Sequence, residues 1–143
     1  MRVARLLEDR SGPVCEVAPA TTVFDALRRM EEANAECLLV RKADGSLAGI
    51  VSERDCLRRC VLKGRDPRKT RVSAIMTREV VTATPGARIS RCMNLMHRHH
   101  IRHLPIVRRG RPLAIVSMQD LVRFLVSEKD FIIKSYEDYI SGG

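Results

Sequence analysis

The chain repeats itself, and the repeat limits the folds open to it more than any other feature. The segment running from Val14 through Pro19 to Val23 recurs from Val80 through Pro85 to Ile89, 66 positions on. Leu27 and Met93, Met30 and Met96, and Val40 and Ile106 keep that offset. Residues 49–55 then match residues 114–120 at an offset of 65, so a one-residue deletion falls between, where the first copy has residues 42–46. Loops accept such length changes more readily than the elements they join.

Each copy predicts the same order of elements. After the proline, Val23, Ala26, Leu27 and Met30 form one apolar helical stripe, and Ile89, Cys92, Met93 and Met96 form its counterpart. Short apolar strands follow at 37–40 and 103–107. Turns at Asp44-Gly45 and Arg109-Gly110 lead into second strands at 47–51 and 113–116. Ser52 and Ser117 then open a further helix. The expected fold is therefore α/β (α+β): two β-α-β-β-α motifs packed about a pseudo-two-fold axis, with short helical extensions at both ends. The division falls at about residue 72, giving 1–72 with the linker 63–70 and 73–143 with a C-terminal helix. In that helix Phe131, Ile132, Tyr136, Tyr139 and Ile140 are available to pack. Neither half alone has enough surface to bury a stable core, so together they form one compact pair.

Composition narrows the function classes. The chain has 143 residues, 45% of them hydrophobic, with no Trp, three Phe and two Tyr. The core is aliphatic, and a stacking platform for single-stranded nucleic acid is disfavoured. Five cysteines at 15, 37, 56, 60 and 92 show no paired spacing, which points to free thiols in a reducing compartment. The first ten residues are too charged for a secretory signal, and no apolar run reaches membrane-span length. The expected location is cytoplasmic, with no membrane association. A net charge of +9 draws anions, whether nucleotide phosphate or nucleic acid, though a solvated basic surface explains it as well. No nucleophile elbow, Gly-rich phosphate loop or zinc-hydrolase motif is present, so the chain is not expected to be an enzyme.

Three motifs carry a family resemblance: residues 49–55 (Gly49 to Asp55), residues 72–77 (Val72 to Thr77) and residues 100–107 (His100 to Val107). Together with the repeat they make the chain resemble a CBS-domain pair, or Bateman module, of the small stand-alone bacterial type, over roughly residues 11–128. The resemblance implies a regulatory module, usually a homodimer. It binds AMP, ADP, ATP, NADH or S-adenosylmethionine between its motifs, here with AMP or ATP favoured, and signals to a protein partner of unknown identity. The alternative is a basic protein- or nucleic-acid-binding scaffold without a small ligand.

Ser52 with Asp55, and Ser117 with Asp120, have the spacing of a helix capping box. The same geometry suits a nucleotide: the helix N-terminus and hydroxyl meet phosphate, and the ionised carboxylate accepts from ribose hydroxyls. The resemblance implies those roles at both corners. It also implies that Arg54 reaches phosphate, that Arg102 and His103 line the cleft, that Ile101 and Val80 wall the adenine, and that Thr77 and Arg78 border the base. Copy one has Glu36 where copy two has Arg102, and a carboxylate there repels phosphate. Copy two has Ala114 for Gly49, together with Gln119, which are expected to narrow its corner. On balance the expected site is the one around Ser117, Asp120, Arg102 and His103, helped by Arg54. His97 and His100, three apart, could share a helix face, but no paired Cys or acid is nearby in sequence. The cluster of His97, His99, His100 and His103 therefore reads as a basic, pH-sensitive patch near the cleft rather than a metal site. Cys56 and Cys60 read as small helix residues, one or both packed inward.

Overall fold

The computed structural model describes residues 1–8 and 14–140, the side chains of 130–132 excepted. Two similar halves account for nearly all of it. In the first, β1 (Glu16–Val17) pairs parallel with β2 (Cys37–Arg41), which pairs antiparallel with β3 (Leu47–Ser52). In the second, β4 (His103–Arg108) and β5 (Arg111–Ser117) form the matching hairpin, and a single parallel bridge between Ala83 and Ile106 replaces β1. A register shift interrupts both hairpins at the same place, after Val40 and after Ile106.

The helices preceding these hairpins obey the predicted stripes. Helix α2 (Val23–Ala33) buries Val23, Ala26 and Met30, and α4 (Ile89–His99) buries Ile89, Cys92 and Met96. Each stops on a left-handed residue, Asn34 at φ 51° and His100 at φ 54°, whose N–H groups close back on the last turn. Asn and His are among the few non-glycine residues that tolerate this region. His100 thus has a structural role in ending its helix.

The repeat also governs what the two flanking segments do. A short helix α1 (Val3–Glu8) lies on the second copy: the N–H groups of Val3 and Ala4 donate to the carbonyls of Ala87 and Pro85, each at 2.9 Å. The segment after the linker lies on the first copy in the same way, Val72 and Ser73 donating to Thr21 and Pro19 at 2.7 and 3.0 Å. Val3 and Leu6 consequently belong to the core of Ile89, Met96, Leu104, Ile106 and Leu121, whereas Val72, Ile75 and Met76 belong to that of Val23, Met30, Leu38 and Val51.

The helices after the Ser-x-x-Asp corners differ most. In copy one a single turn, α3 (Glu53–Asp55), passes into a π-helical turn (Cys56–Cys60) and a 3₁₀ turn (Val61–Lys63), ended by Gly64 at φ 73°. Cys56 and Cys60 both point into the core. In copy two the helix α5 runs unbroken over Met118–Ile140. Tyr136, Tyr139 and Ile140 do not pack on the body as expected. They are exposed, because the body against which α5 lies does not extend that far. Phe131 and Ile132 lie outside the described side chains. No described helix is long and apolar enough to cross a membrane.

Candidate functional site: a cleft between the two copies

Both capping boxes form. Ser52 Oγ accepts from the Asp55 N–H at 3.1 Å, and Asp55 Oδ2 accepts from the Ser52 N–H at 3.0 Å. Ser117 and Asp120 repeat this at 3.0 and 2.8 Å. One hydroxyl and one carboxylate oxygen therefore fix each strand-to-helix corner, so that the side chains stand in a set position beside the helix N-terminus.

The two corners have different surroundings. Ser117 and Asp120 face a cleft of about 1000 Å³. Copy two also contributes His103 and Arg108 to it, copy one contributes Glu36, Cys37 and Glu53, and helix α1 contributes Leu7 and Glu8. Val14, Leu113 and Ile115 supply apolar wall. At the other corner Asp55 Oδ1 lies 3.8 Å from Arg59 Nε, and Arg59 also donates to the Ile75 carbonyl at 3.1 Å. There the chain after the linker bridges to β3, Thr77 and Ile50 exchanging N–H···O bonds of 2.9 and 3.0 Å. A Cβ placed on Gly49 would stand 2.6 Å from the Thr77 carbonyl oxygen, so only glycine admits this approach.

Of the residues expected at the site, the cleft gathers Ser117, Asp120 and His103. Arg102 is exposed and outside the lining, its carbonyl accepting from the Met118 N–H at 3.0 Å. Ile101 packs on the second core instead. Arg78 is turned to the Ser73 carbonyl at 3.0 Å. Thr77, Ser52 and Asp55 belong to the copy-one corner, and Arg54 and Val80 are likewise absent from the lining.

Glu36 belongs to both corners. Its carbonyl accepts from the Glu53 N–H at 3.0 Å at the copy-one corner, while its side chain turns to the other copy. It lines the cleft of Ser117, because the start of β2 faces across the interface between copies, and its Oε2 lies 3.8 Å from His103 Nε2. Ala114 and Gln119 both line this cleft, whereas the tight corner is at Gly49.

Burial holds His103 below its ordinary pKa, and Arg102 adds to this, while Glu36 and Asp120 pull the other way. Cys37, also on the cleft, is pushed up to about 12, first by burial and then by Glu36, so it stays a thiol rather than a thiolate nucleophile. Among the described residues no three His, Cys, Asp or Glu side chains are grouped to hold a metal.

Comparison with known families matches the CBS domain twice, over residues 11–62 and 72–127. The chain belongs to the CBS-domain family. A protein with CBS domains from Burkholderia ambifaria has the same fold at a TM-score of 0.83 and 35% identity, covering 89% of this chain and 95% of its own. The mitochondrial CBS domain-containing protein CBSX3 of Arabidopsis thaliana is 38% identical over 126 residues. That is 85% of this chain but 61% of the plant protein. A CBS-domain protein from Pyrobaculum aerophilum, solved in complex with AMP, shares the fold at a TM-score of 0.75 and 21% identity. CBS pairs are generally regulatory modules, and the two copies here form such a pair.

Proposed function

We propose that this CBS pair is a regulatory module that takes an adenosine-containing ligand between its two copies and signals to a protein partner in the cytoplasm, without catalysing a reaction. The cleft that contains Ser117, Asp120 and His103 carries this reading, because a molecule lodged there touches both copies at once. A ligand with that reach shifts the relation of the copies by its differential affinity for their arrangements. The AMP complex of the Pyrobaculum relative supports the ligand class.

The cleft also discriminates among adenosine compounds. Glu8, Glu31, Glu36, Glu53 and Asp120 stand against Arg108 and His103. Every added phosphate charge meets that excess of carboxylate, so AMP is favoured over ATP. Thermal-shift titration with adenosine, AMP, ATP, NADH and S-adenosylmethionine tests the reading. Stabilisation by AMP supports it, and no response to any of the five refutes it.

The module is read as a homodimer. Leu57 and Val61 in copy one and Val122 and Val126 in copy two occupy equivalent repeat positions, and all four are exposed. A protein that leaves the same apolar pair uncovered on both copies has a surface suited to a second chain.

One observation favours the scaffold reading. Between Glu79 and Asp120 the chain has no carboxylate but seven Arg. Three of them, Arg88, Arg91 and Arg98, line a groove of about 280 Å³ along α4 with Ser90 and Asn94. Oligonucleotide binding that weakens with salt and is lost in the triple Arg→Gln variant would raise this reading above the first.

A further inference from the structure

Helix α5 outruns the body on which it starts. Leu121 is fully buried, Phe124 and Leu125 pack on the second core, and Arg5 reaches Glu128 at 3.1 Å. The helix then continues to Ile140. Helical segments owe most of their stability to a buried apolar face rather than to propensity, so the projecting part needs something to pack on.

Its exposed face has a regular composition. Val122, Val126, Lys129, Ile133, Tyr136 and Ile140 follow one another at steps of four, three, four, three and four, the spacing of a coiled-coil seam. The five apolar members are 45–67% exposed.

We propose that this seam packs against α5 of a second copy, with the two helices antiparallel. The proposal rests on the homodimer reading and specifies its contact. In an antiparallel pair about one dyad, Val122 faces the partner's Ile140, Val126 faces the partner's Tyr136, and Lys129 faces the partner's Ile133. A small residue meets a large one in the first two layers, and the Lys129 stem lies along Ile133 with its ammonium group reaching water. Arg123 comes opposite the partner's Glu137 beside the seam. A parallel pair would instead set Lys129 against the partner's Lys129, two like charges in one layer. Arg123, Lys129 and Lys134 alternate along the helix with Asp130, Glu137 and Asp138, which suits a protein helix of mixed charge better than an anionic lipid surface.

Cysteine cross-linking tests the register. In the antiparallel pair, position 126 is about 15 Å along the helix from the partner's 126, beyond the reach of a disulfide, but adjacent to the partner's 136. Val126→Cys and Tyr136→Cys chains, mixed and mildly oxidised, should yield covalent dimers, whereas each variant alone should stay at the background of the wild-type chain, four of whose five cysteines are buried. Sedimentation should give twice 16.2 kDa for the wild type and a monomer for Tyr136→Glu, which should still be stabilised by AMP because Tyr136 is exposed and does not line the cleft. Cross-linking of Val126→Cys alone overturns the antiparallel pairing. A dimer without the 126–136 cross-link overturns the seam but leaves the homodimer standing. A wild-type monomer overturns both.

Discussion

His103 of the second copy stands 3.8 Å from Glu36 of the first, Nε2 to Oε2, in the cleft they both line. The contact joins two positions that the repeat sets one apart, and it makes the interface between copies sensitive to protons. Burial keeps the His103 pKa below its ordinary 6.5. A histidine held neutral in the fold takes up its proton more readily when unfolded, so its contribution to stability is complete above pH 6.5 and is lost as pH falls from there towards the depressed folded value. Unfolding measured across that window should show falling stability with falling pH. His103→Gln should flatten the slope, and Glu36→Gln should lower the His103 pKa further in an NMR titration, since the carboxylate is what partly supports its proton.

The two serine caps should contribute similarly to stability. Ser52→Ala and Ser117→Ala each remove one acceptor for a helix N–H and should cost about 1 kcal/mol in denaturant unfolding. Only the second should also weaken ligand binding, because only Ser117 lines the cleft.

Gly49 and Ala114 occupy the same repeat position in opposite circumstances. Gly49→Ala drives a methyl group into the Thr77 carbonyl and Met76 and should destabilise by about 1–3 kcal/mol, the usual cost of overpacking. Ala114→Gly should cost about 1 kcal/mol or less, a backbone-entropy effect. Equal melting temperatures for the two variants would contradict the asymmetry of the corners.

The N-terminal segment should behave as part of the second copy. Leu6 is buried against that core, so Leu6→Ala should cost about 2–5 kcal/mol. Hydrogen exchange should quicken in β4 and β5 ahead of β2 and β3.

The fold was legible because local and global signals agree. Apolar stripes, turn residues and serine caps recur at one offset, and even the helix stops, Asn34 and His100, repeat. The site was legible only at its corners. Ser117, Asp120 and His103 are visible in the sequence, but the approach of the Glu36 side chain to His103 is not, because a repeat aligns residues within copies, whereas the cleft forms across them. Cys37 could have been found, since it is the repeat equivalent of His103. Glu8, Glu31, Glu53 and Arg108 carry no such mark, and their presence depends on how α1, α2 and the hairpins meet in three dimensions.

The direct test of a ligand held between the copies at Ser117 and Asp120 is calorimetric titration of AMP into the wild-type chain and into Asp120→Ala and Asp55→Ala. Thermal unfolding of each variant corrects for the cap that both substitutions remove. The predicted result is saturable binding to the wild type and to Asp55→Ala and its loss in Asp120→Ala. An absence of binding to the wild type, or a greater loss in Asp55→Ala than in Asp120→Ala, would contradict it.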